Sequence, residues 1–297
     1  MIILGIGLGL CAATLQSGSY LCSKYFSNRH PKCEFKLFVF SHVIMGVISL
    51  PILIISFPRV LPPIQQWIYP MLMINLCYCF GQYFLIKILN ETEASKISPL
   101  LILKVPLIVL FTILFYDGHY RPGQWVAIGL TLIAAFMLNK ISHSISIKSF
   151  IFLLLTITGY CWSDINIKIT MNLLSSIPLI QRQFFVASFS YVFTATLMIP
   201  LFWFTKTGTI KQWKDSIPFA VFWLGAMIFL FGSIAQIGAV YANIIQSSRG
   251  LFSIILASII VKMGYHHYET KHSLTVTLKR IFVACLLILA TLGFHIW

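Results

Sequence analysis

The chain has 297 residues, of which 59% are apolar and only 9% are Asp, Glu, Lys or Arg. A soluble domain carries about 25% charged residues, so this composition cannot cover a water-facing surface, and the chain reads as a polytopic membrane protein. Its net charge of +14 does not point to nucleic acid, because the basic residues sit mainly in short loops, where they orient helices and meet anionic headgroups.

Apolar stretches of about 20 residues, the length that crosses a bilayer core, recur from end to end. Ten spans are expected, at residues 2–23, 37–57, 67–88, 95–116, 123–140, 149–170, 183–205, 218–240, 243–264 and 279–297. Open sheet does not survive in lipid, and these runs are too long for strands of a transmembrane barrel. The fold class is therefore an all-α integral membrane protein, and the short gaps leave no room for a soluble or nucleotide-binding module.

Span 1 has no basic residue before its apolar run and no clear small-x-small cleavage site, so it reads as a retained helix rather than a signal peptide. It closes on Ser19-Tyr20-Leu21-Cys22-Ser23-Lys24. Span 3 carries Tyr78, Gln82 and Tyr83. Span 4 carries Lys104 two residues before Pro106, and a proline there frees a backbone carbonyl about one turn earlier, around Ile102. Span 6 carries Tyr160, Trp162, Asp164, Asn166 and Lys168; span 8 carries Gln236; span 9 carries Asn243, Gln246 and Arg249, with Gly250 after them. The ninth loop holds His266, His267, Glu269 and His272, without strong zinc spacing. Six of the seven cysteines lie in or near spans, and none forms a CxxC pair, so they read as reduced apolar fillers.

The odd-numbered loops hold most of the Lys and Arg, whereas the even-numbered ones hold Arg59, Arg121, Lys168 and Arg182. With ten spans both termini share a side, and the positive-inside rule then places the odd loops in the cytoplasm and the termini outside.

The chain also reads as a duplication. The Ser19–Lys24 segment is echoed 144 residues later by Ser163-Asp164-Ile165-Asn166-Ile167-Lys168. Spans 4 and 9 each end near an acidic residue, Asp117 and Glu269. Five helices per half is an odd number, so the second half enters the membrane inverted, with halves at 1–145 and 146–297; secondary transporters are built this way and bind substrate near the midplane between the repeats.

These residues resemble the ten-helix EamA-type carriers of the drug/metabolite transporter superfamily over nearly the whole chain. The resemblance is carried by Gly18, Ser19 and Lys24 with their echo Trp162, Ser163 and Lys168, by Ala94, Ser95 and Pro106, by Asp117, and by Gln124, Trp125 and Gly129. Asp117 stands where the family usually has Glu. The resemblance implies a central cavity lined mainly by spans 1, 3, 4, 6, 8 and 9, with spans 5 and 10 outside. It also implies cytoplasmic termini, opposite to the charge count, so sidedness stays open. A bacterial inner (cell) membrane is the expected location.

A charge in the hydrocarbon region costs about 2.5–3.5 kcal/mol on insertion scales, so Lys104, Asp164, Lys168 and Arg249 are functional candidates. Arg249 offers a planar fork of donors that fits a carboxylate or phosphate, or a structural pair with Asp164. Asp164 has three readings: a counter-ion for Arg249, a partner of Lys168 one turn later on the same face, or a site of proton or ion coupling. Gln82, Asn243 and Gln246 can hydrogen-bond a ligand or bridge helices. Trp162 with Tyr160, Tyr78 and Tyr83 makes an aromatic wall or a set of interfacial anchors.

Enzyme, ATP-binding and dinucleotide motifs are absent, and no cofactor is implied. The first reading is a secondary transporter of a small organic metabolite, amino-acid-like or otherwise carboxylate-bearing, working by alternating access. Its substrate site is expected at Lys104, Asp164, Arg249, Trp162, Gln246, Asn243 and Gln82. Its partners are the small-molecule substrate and the lipid bilayer, and a homodimer is compatible with it. The alternative is a membrane-embedded enzyme of lipid or envelope metabolism, for which the His266–His272 loop is the one candidate.

Overall fold

A computed structural model describes residues 2–92, 94–141, 146–205 and 208–262, together with scattered helical positions between 278 and 293. Among the described residues the secondary structure is entirely helical. The order is α1 (Ile2–Arg29), α2 (Glu34–Ser56), α3 (Ile64–Glu91), α4 (Ala94–Leu100), α5 (Lys104–Tyr116), α6 (Pro122–Ile141), α7 (Ile147–Leu173), α8 (Leu179–Phe202), α9 (Ile210–Ile237), α10 (Ala239–Gln246) and α11 (Arg249–Lys262). Seven segments are long and apolar enough to cross a membrane by themselves. The first nine expected spans each correspond to helix in these residues. The tenth falls largely outside the described residues, although Val283 belongs to the same buried apolar cluster as Ala127, Ile128 and Ala134 of α6.

Two of the spans are broken. A 3₁₀ turn at Leu101–Leu103 separates α4 from α5. Pro106, the third residue of α5, cannot donate to the carbonyl a turn earlier. Ser247 and Ser248 separate α10 from α11. Arg249 reaches across to the break before α5, donating to the Leu101 carbonyl, which also accepts from the Lys104 backbone N–H. Elsewhere, Gly238 with φ +82° ends α9, and Asp117 closes α5 in the left-handed region.

In lipid the hydrophobic effect does not draw helices together, so close association relies on small residues and interhelical hydrogen bonds. Three pairs dominate the packing: α1 with α9, α3 with α7, and α2 with α8. Each has a point of near contact made by glycine. A Cβ on Gly159 of α7 would lie 2.6 Å from the Cys77 carbonyl and 2.8 Å from the Gly81 nitrogen of α3. One on Gly46 of α2 would collide with Ala195 of α8 at 2.2 Å, and one on Gly9 of α1 would meet Ser233 of α9 at 3.0 Å. The outward faces stay apolar, with Ile3, Ile54, Ile55, Leu114 and Phe136 all exposed, as a lipid-facing surface requires.

The ends of α1 and α3 and the starts of α2, α7 and α9 are tied together at one face. Asp215 of α9 accepts from Arg29 Nη1 at 3.2 Å and contacts His30 Nε2 at 2.9 Å. Lys148 of α7 pairs with Glu91 of α3 at 2.6 Å. Lys24 Nζ donates to the Asn90 carbonyl at 3.3 Å, and Asn90 also bonds Glu34 of α2.

Candidate functional site

Among the described residues the helix packing leaves a cavity with polar walls inside the bundle, with about 390 Å³ of empty space including its mouth. Its walls come from α1, α3, α5, α7, α8, α9 and α10. Six of the expected spans therefore contribute, and span 7 joins them through Ser190 and Tyr191 of α8.

The charged part of this wall is an ion pair. Lys104, the first residue of α5, places its Nζ 2.5 Å from Asp164 Oδ2 of α7. Asn243 Nδ2 of α10 donates to the same carboxylate oxygen at 2.5 Å. Lys104 and Asp164 are 3% and 4% exposed, so neither charge is solvated from outside the bundle. The Lys104 ammonium also stands 5.3 Å from the centroid of the Tyr160 ring.

This pairing corrects the expected one. Asp164 is bound neither to Lys168 nor to Arg249. Lys168 turns away and donates to the Ala235 carbonyl of α9 at 3.0 Å. Arg249, 2% exposed, donates from Nη1 to Gln16 Oε1 of α1 at 2.8 Å and from Nη2 to the Leu101 carbonyl at 3.4 Å. Its Nε has no partner, and no carboxylate pairs with it among the described residues. Ser17 Oγ holds the Arg249 carbonyl at 2.9 Å, and Ser253 Oγ donates to Ser98 Oγ at 3.0 Å, so spans 1, 4 and 9 meet around this guanidinium. Arg249 does not line the cavity itself; Gln16, which it holds, does.

Three other expected residues sort differently. Gln246 lines the cavity, and both polar atoms of its amide are buried without a partner among the described residues. Gln82 lies behind the wall and accepts the hydroxyl of Tyr160, which does line it. Trp162 is not a wall residue; it packs against Phe111 and Phe115 of α5, each ring centroid 5.1 Å away.

The aromatic wall is built instead from Tyr78, Tyr160, Tyr191 and Trp223. Tyr78 stacks on Tyr160 at 6.2 Å and meets Tyr191 edge-on at 5.7 Å, and Trp223 Nε1 donates to the Tyr191 hydroxyl at 3.0 Å. Sequence reasoning passed over Gln16, Tyr191 and Trp223, and also His42. The signal for His42 was present: an ionisable side chain in the middle of a span is a candidate by default. It is fully buried, holds the Phe38 carbonyl through Nδ1 at 2.6 Å, and contacts the Tyr78 hydroxyl through Nε2 at 3.1 Å.

Among the described residues no group of three metal-ligating side chains occurs. The His266–His272 loop, on which the enzyme alternative rests, lies outside the described residues.

Comparison with known proteins adds a family and a fold. Residues 3–140 match the family model described as the EamA-like transporter family. No curated protein sequence matches the chain. A solved structure, titled only as the crystal structure of a protein, is similar with a TM-score of 0.63 and 15% identity, covering 97% of this chain and 95% of that one. That likeness speaks to fold alone, and it extends across the second half, where the family match does not reach.

Proposed function

We propose that this chain, whose residues 3–140 match the EamA-like transporter family of the drug/metabolite transporter superfamily, is a secondary carrier of a small carboxylate-bearing metabolite. Amino-acid-like solutes are the leading class. The observation that carries the reading is the charge balance in the bundle. Around the cavity, two buried cations, Lys104 and Arg249, are opposed by Asp164 alone among the described residues, the other buried acid, Asp215, being taken up by Arg29 and His30 at one face. A surplus of buried positive charge is costly, and an anionic group held beside Lys104 in the cavity offsets that surplus through space, without touching Arg249. Lys104 is the group placed to meet a carboxylate, and Asp164 the one placed to accept from an ammonium or hydroxyl beside it.

Alternating access between two inverted halves, residues 1–145 and 146–297, is the mechanism that fits. Exchanging the halves turns the α1–α9 contact into the α7–α3 contact and leaves α2–α8 paired with itself. Prolines recur at matching places, Pro51 in α2 with Pro200 in α8, and Pro70 in α3 with Pro218 in α9. The two broken spans are the fourth of each half, and Lys104 and Arg249 are the first residues after their breaks. Discontinuous helices at a repeat interface are the usual substrate site of such carriers. Proton or ion coupling through Asp164 is part of the proposal, as is residence in a bacterial inner membrane.

The test is a melting-shift panel on purified protein with amino acids, organic acids, nucleotides and amines. A ligand bound only to the folded state raises apparent stability with its concentration. The expected result is stabilisation by one carboxylate-bearing class, followed by saturable flux of that class into proteoliposomes, with and without an imposed pH gradient. Stabilisation by amines or nucleotides alone, or no flux of any carboxylate, overturns the reading.

A further inference from the structure

The carrier reading leaves one arrangement unexplained. Arg249 is buried, has no carboxylate partner among the described residues, and does not line the cavity. An under-satisfied buried guanidinium calls for an explanation. Its best hydrogen bond, 2.8 Å from Nη1, goes to the side-chain oxygen of Gln16, a residue that does line the cavity.

A glutamine amide has one accepting end and one donating end. Arginine only donates, so the end of Gln16 that meets Arg249 must be the oxygen. The NH₂ end is then the one left for the cavity, and no protein acceptor takes it among the described residues. Without Arg249 the amide could turn over and present its oxygen instead. Lys104 lies in the same cavity wall, with its ammonium committed to Asp164 through one of three N–H groups. The guanidinium is itself held by the Leu101 carbonyl, 3.4 Å from Nη2, and the Arg249 backbone is anchored to α1 because its carbonyl accepts from Ser17, next to Gln16, at 2.9 Å.

We infer that Arg249 is a positioning residue that fixes the polarity of Gln16, so that the Gln16 NH₂ and the Lys104 ammonium together receive the substrate's carboxylate. Arg249 sets which end of an amide faces the cavity and does not touch the substrate. The inference rests on the carrier reading and deepens it, because it states which side chains select an acid over its amide. A carboxylate accepts from both donors. A primary carboxamide in its place brings its own NH₂ toward one of them and loses that bond.

The experiment compares L-leucine with L-leucinamide, L-glutamate with L-glutamine, and succinate with succinamate, each as a melting-shift titration. The proteins are the wild type, Gln16→Glu and Arg249→Gln. Gln16→Glu keeps an oxygen on Arg249, now as an ion pair, and offers a second carboxylate oxygen to the cavity where the NH₂ stood. It is expected to melt no lower than the wild type. Hydrogen bonds to charged groups are worth about 1.5–3 kcal/mol, so the wild type is expected to prefer at least one acid over its amide by at least about tenfold. In Gln16→Glu that preference falls to about one or reverses, and in Arg249→Gln it weakens. An acid preference unchanged in a folded Gln16→Glu overturns the inference and leaves the carrier standing. If Arg249→Gln fails to fold, Gln16→Glu decides alone. A wild type that responds to none of the three pairs, and transports no carboxylate, removes the carrier reading and the inference with it.

Discussion

Lys104 Nζ and Asp164 Oδ2 lie 2.5 Å apart, joining the residue that restarts the fourth span to the interior of α7 across the middle of the bundle. Sixty residues separate them along the chain, and each would be stranded in apolar surroundings without the other. Removing one partner of a buried pair costs about 3–5 kcal/mol, whereas removing both is often close to neutral. Lys104→Met and Asp164→Asn are each expected to lower unfolding stability by roughly that amount, and the double variant to recover most of it. Unfolding in mixed micelles measures this. Losses that simply add would show that the pair is not coupled. Carboxylate transport is expected to fail in all three.

The α3–α7 contact predicts a sharp contrast between two glycines. A side chain on Gly159 meets the backbone of Cys77 and Gly81 within 3 Å, and backbone cannot swing aside. Gly159→Val is expected to cost about 1–3 kcal/mol by forcing the helices apart. Gly129 in α6 has nothing within 4 Å of its added Cβ, so Gly129→Ala is expected to gain about 0.5–1 kcal/mol from helix propensity. Thermal unfolding of both variants checks the pair.

Two tryptophans are expected to separate stability from binding. Trp162 packs on Phe111 and Phe115 away from the cavity, so Trp162→Ala should lower stability by about 1–3 kcal/mol while the ligand-induced melting shift persists. Trp223 lines the cavity and holds the Tyr191 hydroxyl, so Trp223→Ala should abolish that shift. Equal loss of ligand response in both would place Trp162 back in the site.

At one face of the bundle, Asp215 ties α9 to Arg29 and His30 at the end of α1. Under alternating access this tie crosses the two halves and has to open with the cavity on that side. In a cysteine-free background carrying Ser163→Cys on the cavity wall, Asp215→Asn is expected to speed labelling by an impermeant maleimide from that face several-fold. The Lys148–Glu91 pair is more exposed, and breaking it is expected to do less. An unchanged labelling rate in a folded Asp215→Asn would show that the tie does not hold the face closed.

Much of the architecture was legible before any coordinates. Each of the first nine expected spans corresponds to helix, because crossing a bilayer is a property of local composition and length. The break beside Lys104 was legible through Pro106, since a missing N–H acts on its own helix. Lys104, Asp164, Gln246 and Asn243 were legible as candidates because polar groups at membrane depth are rare; the fold brings the first three to the cavity wall and sets Asn243 on Asp164. Trp162 misled for a related reason: one amphipathic ring suits a cavity, an interface or an outer helix contact equally well.

What the sequence by itself determined is which residues are buried in lipid-spanning helices and which of them carry charge, since both follow from composition over a single turn or a single span. Only the tertiary structure decided who meets whom. The sequence offered Arg249 and Lys168 as partners for Asp164, whereas the fold brings Lys104 to it, and the nearest along the helix, Lys168, instead reaches the Ala235 carbonyl. The choice depends on how helices far apart in the chain are rotated against one another, and glycine contacts such as Gly46 with Ala195 and Gly81 with Gly159 set that rotation. The same rotation turned Arg249 away from the acid and onto Gln16, a polar group inside span 1 whose partner no local feature of the sequence disclosed.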